Sequence, residues 1–553
     1  MRRWVPSIDA RVGLILAVFA FSLPAFGQTD AKFLLTEANG DIARFLQNGQ
    51  QLEQQHRWGE ALAHYEDAVR HYPSDAQLQQ RFDSARLHYD LERRYADRSF
   101  RRSVEQLSTE RALELYGQVL LKIETHYVEV PHWKTLLDHG AGNLEMALGE
   151  PTFVHQNIAQ EDRATVDAFC REMRSVIAMR TIVTRNDVRE TVAAVARLAE
   201  QRLHIAPSAV VLEYLCGATS ALDPYSTYLT PDQLNEVYSQ IEGNFVGLGV
   251  ELKARQNGLV IVRVISGSPA EQSGVRPQDR ILAIDGQSTD RLSTDQAANL
   301  LQGVEGTVVS LVLAAPGQSS RQVEVQRRRV EVPSVDQVTI IDPQYGIGYF
   351  KLTCFQKTTA RDLDAALWKL HREGMKSLVI DVRGNPGGLL LSAVEAADRF
   401  IERGIIVSTR GRSVQEDFTY SAHVQGKWQM PLVVLIDQDS ASAAEIFAGA
   451  IRDQHRGTIV GVKSFGKGSV QGIFPLDDSN AGVRLTTAKF FSPTGRPYSR
   501  IGVEPDVQVR PTHTVARPID GQLPGDVGGD AMLNKALQTA RQFSQPLQAR
   551  SRS

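Results

Sequence analysis

Ser442, Lys467 and Gln471 are one hydroxyl, one amine and one amide, 25 and then four residues apart. They fall in a stretch that opens DSASAAEIFAG and closes SFGKGSVQ. A serine hydroxyl attacks a carbonyl only when a nearby base takes its proton. Lysine can be that base once its reference pKa of about 10.4 is lowered, which calls for burial away from carboxylates. The surroundings of Lys467 fit: Phe465 is apolar, and Gly466 and Gly468 let backbone approach closely. Gln471 can aim an amine without stabilising its charged form as a carboxylate would. We therefore read Ser442 as nucleophile, Lys467 as general base and Gln471 as the group that orients the lysine. Taken singly, the same residues have plainer readings. A serine before an apolar helix is usually an N-cap, and Gly-Lys-Gly is usually an exposed turn. Ser440 is the rival nucleophile and His455 the rival base.

The elements that must hold these groups are legible as periodicity. Ala443–Ile451 is apolar at helical spacing, and a serine at its mouth faces backbone N–H groups able to hold an oxyanion. Val470–Ile473 has the composition of a strand. From about residue 343 to 509, strands at Gly348–Phe355, Ser377–Asp381 and Leu432–Ile436 alternate with helices near Ala360–Glu373 and Leu391–Ile401. That order predicts a layered α/β fold. Asp381-Val382-Arg383-Gly384-Asn385-Pro386-Gly387-Gly388 ends a strand in a Gly-rich loop. Residues 511–529 are dense in Pro and Gly and read as a linker, and Ala531–Phe543 reads as a last helix.

Together, Ser440-Ala441-Ser442-Ala443-Ala444-Glu445 and Ser464-Phe465-Gly466-Lys467-Gly468 resemble the signature blocks of the C-terminal processing peptidases, the tail-specific proteases of peptidase family S41. Two positions depart from that pattern: Ala444 stands where a third serine is usual, and Ser464 where threonine is. Neither touches the chemistry. The resemblance covers roughly residues 110–509. It implies a Ser–Lys dyad and a core related to the crotonase and Clp protease folds. It also implies an oxyanion hole made by the N–H of Ala443 and of Gly387 or Gly388, with no metal or cofactor. Residues 243–332 resemble a PDZ domain, with Gly247-Leu248-Gly249-Val250 as its carboxylate-binding loop and the strand from Val250 as the edge a peptide extends. The implied ligands are protein or peptide substrates with accessible C-terminal tails. Leu222-Asp223-Pro224-Tyr225-Ser226 looks like the Leu-Asp-Pro-His-Ser block that precedes the PDZ module in the family, with Tyr225 in place of His; we read it as structural.

The expected whole is a multidomain α/β protein. Residues 1–27 read as a signal peptide, with Arg2 and Arg3, an apolar run from Val12 to Leu23, and a small-x-small site at Ala25-Phe26-Gly27. Periplasmic or other export follows, or inner-membrane anchoring if the segment is not cleaved. Residues 28–100 are helical, and Trp58-Gly59-Glu60-Ala61, Tyr65, Ala68 and Pro73 follow a tetratricopeptide pattern, although one unit is short of the three such arrays need. Residues 101–242 read as the helical start of the peptidase, 333–510 as its core, and 511–553 as linker plus helix. The helical region offers a surface for an adaptor or for self-association. A net charge of −3 gives nucleic-acid binding no support. Cys170, Cys216 and Cys354 have no metal spacing; Cys170 and Cys216 either pair in an oxidising compartment or stand as buried thiols. The alternative function is a non-catalytic PDZ and repeat adaptor.

Overall fold

The computed structural model describes residues 14–16 and 38–543, except 159–162, 256, 257, 290, 291, 293, 424–427, 478 and 510–529. The signal-peptide reading therefore lies outside the described residues apart from the short strand Leu14–Leu16. Two compact units divide the described chain. The first holds residues 38–235 and 471–486, the second 236–470 and 487–543. The chain crosses from one to the other within the strands Ser469–Pro475 and Gly482–Phe491.

The first unit is helical. Helices Ala38–Gln54, Trp58–His71 and Ala76–Ala96 pack at its start, and Gly49 lies so close to Tyr65 that a Cβ there would sit 2.2 Å from the ring. Further helices, among them Thr109–His126, Trp133–Ala147, Arg185–Leu203 and Pro207–Ser220, share one apolar core. Pro207–Ser220 is buried almost all round, as expected of a central helix. The three cysteines are free. Burial pushes the Cys216 thiol up to about 12. Among the described residues no helix is long and apolar enough to cross a membrane.

The second unit carries two sheets of direct interest. One runs Val335–Asp342, Ile347–Leu352, Ser377–Asp381, Leu432–Ile436, Thr458–Gly461, Val507–Gln508; it is parallel except for its first pair. Its strands alternate two apolar faces. Phe350, Leu378, Ile380, Val434 and Ile436 join the core with helices Thr359–Arg372, Leu390–Asp398 and Ala443–Asp453. Tyr349, Val379, Val433, Leu435 and Val460 pack instead with the C-terminal helix Ala531–Gln542. A sheet covered on both faces explains why its strands are continuous apolar runs. A smaller ladder unforeseen in the sequence pairs Ile405–Gly411 with Phe418–Ser421 and with residues 488–491.

The other sheet orders Val250–Arg255, Gly258–Val264, Arg280–Ile284, Val308–Ala314 and Arg321–Gln326. Helix Thr294–Leu301 packs on it through Ala297 and Leu301. Asn244–Gly247 and Arg328–Glu331 pair with each other as a two-stranded stalk at its entry and exit.

Candidate active site

The strand Leu432–Ile436 delivers the chain to a tight turn. Ser440 is consumed there: its Oγ donates to Val382 O at 2.9 Å and accepts the Asp437 N–H at 3.0 Å. At Ser442 the backbone reverses, with φ 57° and ψ −115°. A side chain in that region costs on the order of 1–3 kcal/mol, and such residues cluster where a side chain must be presented. Helix Ala443–Asp453 then starts, its first nine residues all buried. Ser442 is fully buried, and its hydroxyl makes no hydrogen bond, with Lys467 or any other described residue. Ser442 stands at the helix N-cap position, but its side chain does not cap. A buried unpaired hydroxyl costs about 1–3 kcal/mol.

The missing hydrogen-bonding partner of the turn is Glu445. Its carboxylate is fully buried and takes four donors. Oε2 accepts the Ser442 and Lys467 N–H groups at 2.7 and 2.9 Å; Oε1 accepts Ser464 Oγ at 2.6 Å and the Gly466 N–H at 2.7 Å. The backbones of Ser442 and Lys467 are thus no farther apart than two hydrogen bonds laid end to end. Burial pushes the Glu445 carboxyl up to about 7, against the pull of its donors. Sequence reasoning passed over this residue, although Ser-x-x-Glu is the spacing of a capping box. Glu445 takes the Ser442 N–H in the manner of such a box, while the serine hydroxyl makes no hydrogen bond.

Glu445 meets the Lys467 loop through backbone N–H groups. One expectation about Lys467 needs correction. Phe465 does not provide its shelter, being 41 % exposed. Lys467 is nevertheless 1 % exposed. Glycine backbone does the work: Gly466 has φ +91° and abuts Arg500, and a Cβ on Gly468 would sit 2.1 Å from Ser499 N. Gln471 is buried in the strand Ser469–Pro475, as its composition suggested. Its Nε2 donates to Thr486 Oγ1 at 3.3 Å, and the Thr486 N–H reaches Ser226 Oγ at 3.1 Å. Asp223 folds Ser226 into place by accepting the Tyr225 and Ser226 N–H groups at 2.7 and 2.9 Å. The Leu222–Ser226 block is therefore a brace that ends on Gln471's partner.

The Gly-rich loop comes against the serine. A Cβ on Gly387, whose φ is +107°, would lie 2.8 Å from Ser442 Cβ and 3.0 Å from Ala443 N. Buried Asn385 moulds this loop. Its Nδ2 donates to Leu352 O at 2.8 Å, its carbonyl accepts the Ala441 N–H at 3.0 Å, and its Oδ1 accepts the Gly387 N–H at 2.9 Å. The Gly387 donor is thus occupied. Among the described residues the Gly388 and Ala443 N–H groups meet no acceptor.

In the PDZ-like sheet, Val250–Arg255 is an edge strand. Gly249 turns with φ +83°, packed so that a Cβ would strike Ser268 Cβ at 2.3 Å. The Leu248 side chain is buried in the core. The Leu248 and Gly249 carbonyls are taken by the Ala270 and Ile265 N–H groups. Their own N–H groups meet no acceptor among the described residues. Gly247 ends the stalk strand opposite Arg328.

A buried serine on a helix-capping turn and a buried lysine whose backbone shares one carboxylate with it lie in the same unit as the PDZ-like sheet. Comparison with known proteins assigns the family. Residues 346–509 match peptidase family S41 and residues 260–314 match a PDZ domain. The carboxy-terminal-processing protease of Bartonella bacilliformis is 34% identical over 349 residues, 61% of this chain and 79% of that one. The carboxyl-terminal-processing protease of a Synechocystis species is 36% identical over 289 residues, 51% and 67% of the two chains. Among solved structures, the photosystem II D1 C-terminal processing protease aligns over 76% of this chain and 96% of its own, at 26% identity and a TM-score of 0.38. The chain belongs to peptidase family S41, as a C-terminal processing serine protease with a PDZ domain.

Proposed function

We propose that this protein is an exported endopeptidase that seizes protein C-terminal tails through its PDZ domain and cleaves by a Ser442–Lys467 dyad. Lys467 Nζ takes the proton from Ser442 Oγ as the hydroxyl adds to the scissile carbonyl. The tetrahedral oxyanion is held by the Ala443 N–H and by Gly388, since Gly387 already serves Asn385. The C–N bond then breaks, Lys467 returns the proton to the leaving amine, and an acyl-enzyme remains. Water, deprotonated by the same lysine, releases it. Gln471 keeps the amine aimed, and the chemistry asks for no metal or cofactor. The tail carboxylate docks at the Leu248 and Gly249 N–H groups while the tail adds a strand to Val250 and onward.

The observation that carries this reading is the shared Glu445 carboxylate, which binds the Ser442 and Lys467 backbones in a chain of this family. Export rests on the leader-like residues 1–27. Docking of an adaptor or a second copy is assigned to the helices of residues 28–100.

Mass spectrometry of the products from an unfolded protein with a free apolar tail tests the reading. Wild type is expected to cut, while Ser442→Ala and Lys467→Ala are expected to bind the tail without cutting it. A wild type that binds but never cuts would make the chain an adaptor instead.

A further inference from the structure

The C-terminal helix Ala531–Gln542 does more than cover the sheet. Its capping residue, Asp530, accepts the Leu533 N–H at 2.9 Å, and its carboxylate also meets the guanidinium of Arg383: Nη1 donates to Oδ1 at 2.9 Å, and Nη2 lies 2.9 Å from Oδ2. Arg383 turns its other edge to Asp381, with Nε at 3.0 Å from Oδ1 and Nη2 at 2.7 Å from Oδ2. Asp381 is buried and also accepts the Tyr349 hydroxyl at 3.0 Å. One guanidinium thus joins the end of a central strand to the start of the last helix, both carboxylates bidentate. Arg383 belongs to the loop that brings Gly387 against Ser442, two residues before Asn385. At its far end the helix is fastened again by Arg541 Nε to Asp342 Oδ2 at 2.7 Å. Between them Ala536, Leu537 and Ala540 are buried against Val433, Leu435 and Val460.

We propose that the C-terminal helix is a latch on the oxyanion loop, and that Asp530 is a positioning residue acting on the reaction through Arg383. Undocking the helix leaves Arg383 held by Asp381 alone, loosens the loop from Arg383 to Gly388, and moves a backbone donor off the developing oxyanion. The serine, the lysine and the PDZ groove stay in place. Burial alone would raise the Asp530 carboxyl; the hydrogen bond and charge of Arg383 outweigh it and hold it below the usual range, so the latch is closed at neutral pH. The inference rests on the peptidase reading for its kinetic arm and not for its structural one.

Full-length Asp530→Asn tests it, since asparagine caps a helix about as well as aspartate while removing the charge that ties Arg383 to the helix. For a short peptide substrate, kcat is expected to fall roughly tenfold with KM unchanged, as a small displacement of a transition-state donor does. Tail-peptide affinity should be unaltered. Amide hydrogen exchange over 384–388 should quicken in Asp530→Asn, and more in Leu537→Asp, which undocks the helix. Arg383→Gln combined with Asp530→Asn should cost no more than the worse of the two alone. Wild-type exchange across this loop in both helix variants would overturn the latch whether or not the protein cleaves. Wild-type kcat in Asp530→Asn, beside a cleaving wild type and an inert Ser442→Ala, would overturn it while leaving the peptidase intact. Additive losses in the double variant would do the same.

Discussion

Ser442 occupies a backbone region that side chains rarely visit, and Glu445 holds it there. The carboxylate serves all four donors only when ionised; protonated, one oxygen turns donor and faces an N–H or O–H. Two pH trends of opposite sign follow. Burial raises the folded pKa to about 7 from a usual 4.5, so protonation favours folding. That stability is fully present below the unfolded value and is lost as pH rises through about 7. Activity is expected to run the other way, because the ionised clamp sets the geometry at Ser442 and the proposed mechanism uses a neutral Lys467. We expect kcat to fall as pH is lowered through 7 while the thermal midpoint rises. Glu445→Gln should flatten that midpoint trend and cut kcat tenfold or more, since an amide nitrogen among these donors leaves a buried N–H unpaired at about 1–3 kcal/mol. Melting curves and rates from pH 5 to 8 for both proteins check it. A midpoint trend unchanged by the substitution would place the titration elsewhere.

Among the elements, the loop after Ser377–Asp381 is the most constrained. Gly388 bridges Phe355 with φ +135°, and a Cβ there would fall 1.9 Å from Phe355 O. Gly387 is less tight, its nearest Cβ contact being Ser442 Cβ at 2.8 Å, and it faces the serine itself. Gly388→Ala should therefore destabilise the fold, by about 2 kcal/mol or more, since backbone must move at a strained φ. Gly387→Ala should destabilise it less and cost activity first, because its Cβ meets Ser442 Cβ at 2.8 Å and Ala441 O at 2.9 Å. Thermal midpoints separate the two outcomes, and equal destabilisation by both would refute the division.

At the scale of the whole molecule, both connections of the PDZ module converge on Gln356. This buried side chain donates to Val332 O at 2.5 Å, and Gly243, with φ +73°, packs on it where a Cβ would come 2.6 Å from Nε2. The Lys357 N–H donates to Ile241 O at 3.0 Å. One residue earlier, the Phe355 N–H donates to Gly387 O at 2.8 Å and the Phe355 carbonyl accepts the Leu389 N–H at 2.7 Å. We expect a tail bound in the proposed groove to bias the loop at Gly387 through this strand end. Gln356→Ala should shrink the change that a saturating tail peptide makes to the rate on a short reporter, with tail affinity kept. A full response in the variant would count against this route.

Residue type and resemblance to the family's blocks mark Ser442, Lys467 and Gln471 as candidates and suggest the PDZ-like strand order, while the strands Ser377–Asp381 and Leu432–Ile436 and the helix after the serine follow from apolar period. Those features are short-range, so they are written in adjacent residues. Tertiary structure alone decided the rest. The ladder Ile405–Gly411 with Phe418–Ser421 carries no strong period and forms by pairing with 488–491. Glu445 reads as a helix-capping acid until folding lays Ser464 and Gly466 against it. Gly388 is preferred to Gly387 as the proposed oxyanion donor because Asn385 has taken the Gly387 N–H. The Asp530 tie to Arg383 joins residues 147 positions apart. Partners so distant in sequence leave no periodic trace, because only the closed chain brings their charges within hydrogen-bond reach.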